Sequence, residues 1–182
     1  MKGHRFSRAD AALLVIDVQE RLVAAMNPQR YQRMLNRTLA AIAGAKALGL
    51  PIAVTEQYSK GLGPTVKPVL DALGDVPRVE KLEFTAWQPK VRERILGRSQ
   101  VLVVGMETHV CVFQTARDLA DAGVVPFLAH DAVISRDEVD YRVGLGLCER
   151  AGAVATTVEA ALFDALGRAG SPDFKAVSAA VK

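Results

Sequence analysis

Cysteine, histidine and aromatic residues are scarce in this chain, whose 182 residues include two cysteines, three histidines and only 5% Phe, Trp and Tyr. Two cysteines, Cys111 and Cys148, cannot build the disulfide framework of a small secreted protein, which indicates a reducing, cytoplasmic setting. No apolar run reaches the roughly 20 residues of a membrane-spanning helix. The first eight residues also lack the apolar segment of a secretory signal. The sequence therefore predicts neither a membrane span nor a signal peptide.

A large excess of one charge is also missing. The formal net charge is +3, and Lys and Arg are interleaved with Asp and Glu along the chain. One basic cluster stands out, because Arg30, Arg33 and Arg37 share a helix face at spacings i, i+3 and i+7. We favour a solvated helix face over a phosphate-binding one and predict no nucleic-acid partner.

Short aliphatic runs alternate with amphipathic stretches from residue 11 onward. The aliphatic runs predict strands over 11–17, 51–55, 78–82, 101–104, 124–129 and 153–156. Helical periodicity predicts helices over 28–48, 89–96, 108–123, 137–152 and 158–166, with a further helix or turn in 64–73. This alternation is typical of a single doubly wound α/β domain, in which a mostly parallel six-stranded sheet carries helices on both faces in a Rossmann-like three-layer fold. We predict one domain over 1–182, with a core over about 11–168 and a C-terminal arm over 169–182.

Three reactive side chains follow the ends of predicted strands. Asp17 ends the first strand, Lys81 lies near the end of the third, and Cys111 lies in the first turn of the helix after the fourth. We expect Gly105 to end that fourth strand and Thr108 to cap the helix. Ligands bind at the carboxyl edge of such sheets, and a helix N-terminus favours a thiolate. Cys111 could therefore act as a nucleophile, with Asp17 as its base and Lys81 stabilising both anions.

Other interpretations of these residues stay open. Cys111 could be a small buried hydrophobe, and Asp17 could simply start a turn. His109 could be the base of a Cys–His pair, but residues two apart on an α-helix point about 200° apart. We therefore predict that His109 faces away from Cys111.

Motifs along most of the chain resemble the isochorismatase-like cysteine hydrolases, and within them the isochorismatase-domain-containing branch. The matching segments are Ile16-Asp17-Val18-Gln19, residues 54–65, Lys81 with Phe84, Gly105 to Val112 followed by Thr115-Ala116, residues 131–136, and residues 156–159. The resemblance spans about 13–175 and is specific as a set, although each piece alone is a weak signal.

The resemblance implies a catalytic triad of Asp17, Lys81 and Cys111. In this family the cysteine attacks the carbonyl of a small amide, a thioester forms, and water resolves it. The resemblance also implies a non-proline cis peptide at Met106–Glu107 and an oxyanion hole formed by the backbone N–H groups of Glu107 and Cys111. A thioester acyl-enzyme at Cys111 is thus the expected intermediate.

The sequence departs from metal-dependent members of the superfamily. Nicotinamidases hold a metal with an Asp-x-His motif and a second histidine, whereas residues 56–61 here contain no histidine. His4, His109 and His130 do not supply the required spacing. We therefore predict an enzyme without a metal or another cofactor. Isochorismatases that cleave a vinyl ether can lack the cysteine, so the presence of Cys111 favours thiol chemistry.

Side chains from loops at the same edge are candidates for the wall of the substrate pocket. They are Gln19, Gln57, Tyr58, Phe84, Trp87 and Thr108. Such a wall suits a small, flat, neutral amide. Phe84 and Trp87 could equally belong to the core or to a subunit interface, and Arg136 or Lys60 could instead receive a substrate carboxylate.

The predicted function is therefore metal-independent hydrolysis of a small amide or related carbonyl compound. The alternative is a redox-responsive or ligand-binding oligomer whose hydrolase site is vestigial. Members of the family commonly form dimers to octamers, so we expect a homo-oligomer in which the tail from Ser171 packs on a neighbour. Some members of the branch carry a ribonuclease name, which the charge pattern does not support.

Overall fold

The computed structural model describes residues 5–182, and His4 lies outside that range. The strands are β1 (Ala11–Ile16), β2 (Ile52–Gln57), β3 (Arg78–Lys81), β4 (Gln100–Met106), β5 (Val125–Ile134) and β6 (Val154–Thr156). They form one parallel sheet in the order β3-β2-β1-β4-β5-β6. This order is that of a Rossmann-type doubly wound sheet and confirms the predicted fold class.

Helices cover both faces of the sheet. They are α1 (Glu20–Val23), α2 (Pro28–Leu48), α3 (Ser59–Leu62), α4 (Lys67–Leu73), α5 (Pro89–Arg94), α6 (Phe113–Asp121), α7 (Glu138–Arg150), α8 (Val158–Leu166) and α9 (Phe174–Ala180). Helices α2, α4, α8 and α9 pack on one face, and α5, α6 and α7 pack on the other. Among residues 5–182, none of the helices combines the length and the apolar character that crossing a bilayer requires.

Strand β1 lies in the middle of the sheet and is buried on both faces. Leu13 and Val15 join the core under α2, whereas Leu14 and Ile16 join the core under α5 and α6. Successive side chains of a strand point to opposite faces, so a strand covered on both sides must be apolar throughout. The unbroken aliphatic run that predicted this strand therefore also fixed its central position.

The sequence predicted that Gly105 ends β4. That prediction was wrong, because Gly105 lies within the strand. Its φ is +120°, and a Cβ atom at this position would lie 2.0 Å from the Ile16 carbonyl oxygen. Glycine here lets β4 pair closely with β1 and continue to Met106. The Met106–Glu107 peptide that follows is cis, as the family resemblance implied.

The helix after β4 begins differently from the prediction. Residues Thr108–Val112 form a π-helical turn that continues into α6, and Thr108 makes no capping bond with its side chain. The prediction of Thr108 as an N-cap was therefore wrong. Single π-helical turns are frequent at functional sites because they change the direction of side chains within a helix.

The C-terminal segment packs on its own chain. Val177 of α9 is fully buried, and the rings of Phe163 and Phe174 meet edge to face with centroids 6.3 Å apart. The core thus extends past the predicted limit at 168 and includes Phe6 at the other end. Val177 is thus covered by its own chain, whereas Phe174 is only half-buried, and the expectation that the tail from Ser171 packs on a neighbouring subunit stays a prediction.

Candidate active site

The candidate site lies at the carboxyl edge of the sheet between β1 and β4. From these two neighbouring strands the chain continues in opposite directions across the sheet, which leaves a crevice between the loops. Asp17 follows β1 and has a left-handed backbone with φ +51°, a conformation that Asp tolerates better than most residues. Cys111 lies in the π-helical turn after β4. The two residues therefore come from the two strands at the switch point.

Asp17 forms a fully buried ion pair with Lys81, the last residue of β3. The Lys81 Nζ atom lies 2.7 Å from Asp17 Oδ2, and neither side chain is exposed. Thr55 of β2 donates its hydroxyl proton to Asp17 Oδ1 at 2.7 Å. Burial of one charge without the other would be costly, so the pair forms a unit that the fold must keep intact.

Four oxygen atoms surround the ammonium group of Lys81. They belong to the side chains of Asp17 (2.7 Å) and Gln57 (2.7 Å) and to the backbone carbonyls of Phe84 (3.0 Å) and Glu83 (3.3 Å). A lysine ammonium has three N–H donors. All of its donors are therefore engaged within the protein.

Two glutamines hold the loops around this ion pair. The Gln19 side chain accepts from the Gln57 backbone N–H (2.7 Å) and donates to the carbonyls of Gln57 (3.0 Å) and Gly63 (2.7 Å). The Gln57 side chain donates to the Leu82 carbonyl at 2.7 Å while its oxygen accepts from Lys81. Both amides, which we expected to contact substrate, thus bond to the protein itself.

Cys111 is 6% exposed and lies beside the ion pair. Its thiol is close enough to Asp17 and Lys81 for both groups to shift its pKa. Burial, together with the Asp17 charge, raises the pKa of Cys111 to about 12, although Lys81 acts in the opposite direction. This raised pKa favours the neutral thiol, so the thiolate expected at the helix N-terminus stays a prediction.

The same burial raises the pKa of Asp17, while Lys81, Thr55 and Cys111 all lower it. A carboxylate with a raised pKa is a better proton acceptor than an exposed one. The pair of Cys111 and Asp17 can therefore transfer a proton when the sulfur attacks. The positive charge of Lys81 can balance the negative charge whether that charge lies on Asp17 or on the Cys111 sulfur.

Close packing against α7 fixes the position of the π-helical turn. A Cβ atom on Gly144 of α7 would lie 2.7 Å from the backbone nitrogen of His109, so glycine is needed for this approach. The ring nitrogen Nδ1 of His109 lies 3.0 Å from Ser135 Oγ, and Nε2 lies 3.6 Å from Asp140. His109 thus faces α7 and β5, which confirms the prediction that it points away from Cys111.

Two threonines support the site and were missed as functional candidates. Thr55 bonds to Asp17, as described above. The Thr115 hydroxyl donates to the Cys111 carbonyl (2.6 Å) and accepts from the Ala86 N–H (2.7 Å), which joins the nucleophile turn to the loop after β3. Thr55 could have been noticed as a polar residue at the end of an apolar strand, and Thr115 belongs to the family motif, but neither hydrogen bond could be read from the sequence.

The remaining predicted residues surround the site in different ways. The Glu107 carboxylate accepts from the Arg136 backbone N–H at 3.0 Å and lies 3.7 Å from its guanidinium. The buried Thr108 hydroxyl has no hydrogen-bond partner among residues 5–182. Tyr58 and Phe84 are 51% and 52% exposed.

Trp87 is half-buried, with the Arg92 guanidinium 5.1 Å from its ring centroid. It lies on the loop after β3 that also carries Phe84 and Ala86. Tyr58, Phe84 and Trp87 therefore all lie on loops that leave the same edge of the sheet.

The residues of this edge do not fit a bound metal. Within residues 5–182 no group of three or more His, Cys, Asp or Glu side chains is arranged to hold an ion. Glu56 at the end of β2, where the family resemblance places the metal ligands of nicotinamidases, instead accepts from the Thr65 N–H (2.8 Å) and hydroxyl (2.7 Å). That the enzyme works without a metal remains a prediction, and direct metal analysis of the purified protein would test it.

Comparison with known proteins places these observations in a family. Residues 11–160 match the isochorismatase domain model. The chain is 37% identical over 173 residues to isochorismatase domain-containing protein 2 of Bos taurus, an alignment that covers 93% of this chain and 82% of that protein. It is 35% identical over 179 residues to the secreted isochorismatase effector Isc1 of Phytophthora sojae, with 94% and 84% covered.

Solved structures give the same result. The MAR1 ribonuclease from Caenorhabditis elegans superposes with a TM-score of 0.93 at 33% identity, over 98% of this chain and 92% of that one. The YcaC protein of Escherichia coli, described as an octameric hydrolase of unknown specificity, superposes with a TM-score of 0.87 at 23% identity, over 99% and 91%, and shows likeness of fold alone. With its fold, its edge residues and these similarities taken together, the chain belongs to the isochorismatase family of hydrolases.

Proposed function

We propose that this hydrolase acts on a small amide or related carbonyl compound through Cys111, Asp17 and Lys81 and a thioester intermediate, without a metal. The observation that carries the proposal is the position of the Cys111 thiol beside a fully buried Asp17–Lys81 ion pair. A buried carboxylate near a thiol can act as the base for that nucleophile. No other group in the site is as well placed to take the thiol proton.

The reaction would proceed in two halves. In the first, Asp17 takes the thiol proton as the Cys111 sulfur attacks the carbonyl carbon, and the backbone N–H groups of Glu107 and Cys111 stabilise the oxyanion. The tetrahedral intermediate collapses, the C–N bond breaks, and the proton on Asp17 passes to the leaving amine. In the second, Asp17 takes a proton from water, which attacks the thioester. The carboxylic acid leaves, and the proton returns to the sulfur.

Lys81 acts in this mechanism as a fixed charge. Because its three donors are engaged by Asp17, Gln57 and backbone carbonyls, it is not free to donate to the substrate. Its charge lowers the pKa of Asp17, which favours the carboxylate, and stabilises the anion that forms on sulfur. We assign Gln57 and Gln19 as positioning residues, since both bond to the protein around Lys81, and we keep Tyr58, Phe84, Trp87 and Thr108 as candidate substrate contacts.

We also propose an oligomeric state and a cellular setting for this protein. Tyr58, Leu82 and Phe84 are large apolar side chains exposed beside the site, which favours a homo-oligomer that covers them. Sedimentation that gives a monomer at micromolar concentration would contradict this. A reducing, cytoplasmic setting is supported by two cysteines that are both free and buried.

Trapping the acyl-enzyme tests the proposed function most directly. The purified protein is treated with a panel of small amides and activated esters, quenched in acid, and analysed by intact mass and peptide mapping. We expect an acyl adduct on Cys111 in the parent and in the control variant Cys148→Ala, but not in Cys111→Ala. An adduct on another residue, or turnover without any contribution from Cys111, would refute the mechanism.

The redox alternative predicts that hydrogen peroxide oxidises Cys111 rapidly, whereas the hydrolase proposal predicts slow oxidation. A redox-responsive thiol is an exposed thiolate of low pKa, whereas Cys111 is buried with a raised pKa. We therefore expect slow oxidation by hydrogen peroxide. Rapid oxidation of Cys111, combined with failure of the whole substrate panel, would favour the alternative.

A further inference from the structure

A groove separate from the candidate active site opens on the α2 face of the molecule. It lies between the first half of α2, the end of β5 and the start of α7, and its volume is about 610 Å³. None of Asp17, Lys81 and Cys111 lines it. Its volume falls within the range of about 300–1,000 Å³ that is typical of small-molecule sites.

Cationic side chains dominate the groove. The basic cluster noted in the sequence, Arg30, Arg33 and Arg37, lines one side, and Lys182 joins it. Only two carboxylates, those of Asp131 and Glu138, line the groove with these four cations. The lining side chains therefore carry an excess of two positive charges at neutral pH.

The three arginines differ in how far they are already engaged. Arg30 pairs with Glu138 at 2.6 Å, and Arg37 lies 3.6 Å from Asp131. Arg33 is exposed and makes no hydrogen bond or ion pair with any residue between 5 and 182. Its five N–H donors thus remain available to a ligand.

Other parts of the groove lining are apolar or aromatic. Met34, Ala40 and Val133 contribute aliphatic surface, and the Tyr141 ring carries the Arg30 guanidinium 4.8 Å above its centroid. This surface suits an organic group rather than a bare ion. The groove, with a volume of about 610 Å³, is also too large for a single phosphate to fill.

His130 also lines the groove, but its buried Nε2 atom lies 3.4 Å from Glu149, a residue outside the groove lining. This ring nitrogen therefore does not contribute to a ligand site in the groove.

We propose that this groove binds a small organic phosphate monoester, whose phosphate is held by Arg33 beside Arg30 and Arg37 and whose organic part lies against Met34, Val133 and Tyr141. A monoester carries a charge of about −1.5 to −2 at pH 7, which matches the excess of positive charge. The guanidinium fork fits phosphate oxygens in a bidentate manner. The proposal does not depend on the proposed hydrolysis, because it concerns binding at a separate site.

An extended nucleic acid fits the groove less well. Binding of RNA needs a continuous basic surface that follows several phosphates, whereas the net charge of the whole chain is only +3 and its basic and acidic residues are interleaved. The proposal is therefore restricted to a single phosphorylated small molecule.

Calorimetric titration with phenyl phosphate, inorganic phosphate and phenol tests the proposal. We expect phenyl phosphate to bind about tenfold more tightly than inorganic phosphate, and phenol to show no binding, because both the charge and the ring contribute. Amide NMR shifts should map the site to His130 and Tyr141 rather than to Cys111. The variant Arg33→Gln should weaken binding by about tenfold.

Arg168→Gln is the matched control, since Arg168 is exposed, lies outside the groove and removes the same charge. It should change the affinity by less than about twofold. Equal affinities of the Arg33 and Arg168 variants would overturn the proposal, as would binding of phenol with the same affinity as phenyl phosphate. Tighter binding of a short single-stranded RNA, with a steep dependence on salt, would also overturn it.

Discussion

Cys111 and Cys148 lie in the same core on one face of the sheet, and burial raises the pKa of each thiol to about 12. Their surroundings differ in one respect. Cys111 has Asp17 and Lys81 beside it at the carboxyl edge, whereas Cys148 lies within α7 among apolar side chains. Burial therefore does not distinguish the two thiols. In the proposed mechanism, the difference between them depends on a neighbouring base rather than on the acidity of the thiol itself.

Removal of each thiol gives the largest contrast between the two regions. We expect Cys111→Ala to lower kcat/KM by at least about 10³-fold, because the nucleophile is lost, and Cys148→Ala to retain kcat/KM within about twofold. Steady-state kinetics on a substrate from the amide panel, with thermal unfolding to confirm the fold, provides the measurement. Comparable losses in both variants would show that the two cysteines serve only the core.

The second prediction concerns Asp17, which lies near Cys111 but not near Cys148. Asp17→Asn should abolish most of kcat and also lower the free energy of unfolding by about 3–5 kcal/mol, because Lys81 is left as an unpaired buried charge. The double variant Asp17→Asn with Lys81→Met should recover part of that stability, since the unpaired charge is gone, yet remain inactive. Denaturant unfolding and kinetics separate the two effects. Parental activity in Asp17→Asn would exclude this residue as the base.

Alkylation rates compare the two thiols in the parent protein, without mutation. A pKa raised from 9 to about 12 reduces the thiolate fraction at pH 8, so both thiols should react with iodoacetamide more slowly than an unfolded cysteine. We expect Cys111 to be slowed by about tenfold or more, and Cys148, which has no exposed surface, to react only on unfolding. Peptide mapping over time gives both rates. Rapid alkylation of Cys111 in the folded protein would contradict the raised pKa.

The smallest effect is expected at Thr55. Its hydroxyl lowers the pKa of Asp17, so Thr55→Val should raise that pKa further and move the acid limb of the kcat/KM profile to higher pH, by about one unit or less. The limb moves in this direction because Asp17 must be ionised to accept the thiol proton.

Thr38→Val is the control for this change, since Thr38 is equally buried but bonds to Met34 on α2, away from the site. A profile that moves equally in both variants would show that the shift comes from loss of packing and not from loss of the bond to Asp17.

The site was only partly predictable from the sequence. Asp17, Lys81 and Cys111 could be found because each follows a strand and the ends of parallel strands meet at one edge. The protonation state of Cys111 could not, because burial depends on the side chains that fold over it. The roles of Gln19 and Gln57 were also hidden, since their bonds join loops that are distant in the chain.

What the sequence determined by itself was the α/β architecture and the edge at which the reactive residues lie. Aliphatic runs and helical periods are local patterns, and the handedness of the connections leaves few ways to assemble them. Only the tertiary structure decided that β4 passes through Gly105, that a π-helical turn carries Cys111, and that Asp17 and Lys81 form a buried ion pair beside it. These features depend on close approach between distant segments, as at Ile16 with Gly105 and at His109 with Gly144, and contacts of this kind leave no periodic pattern in the chain.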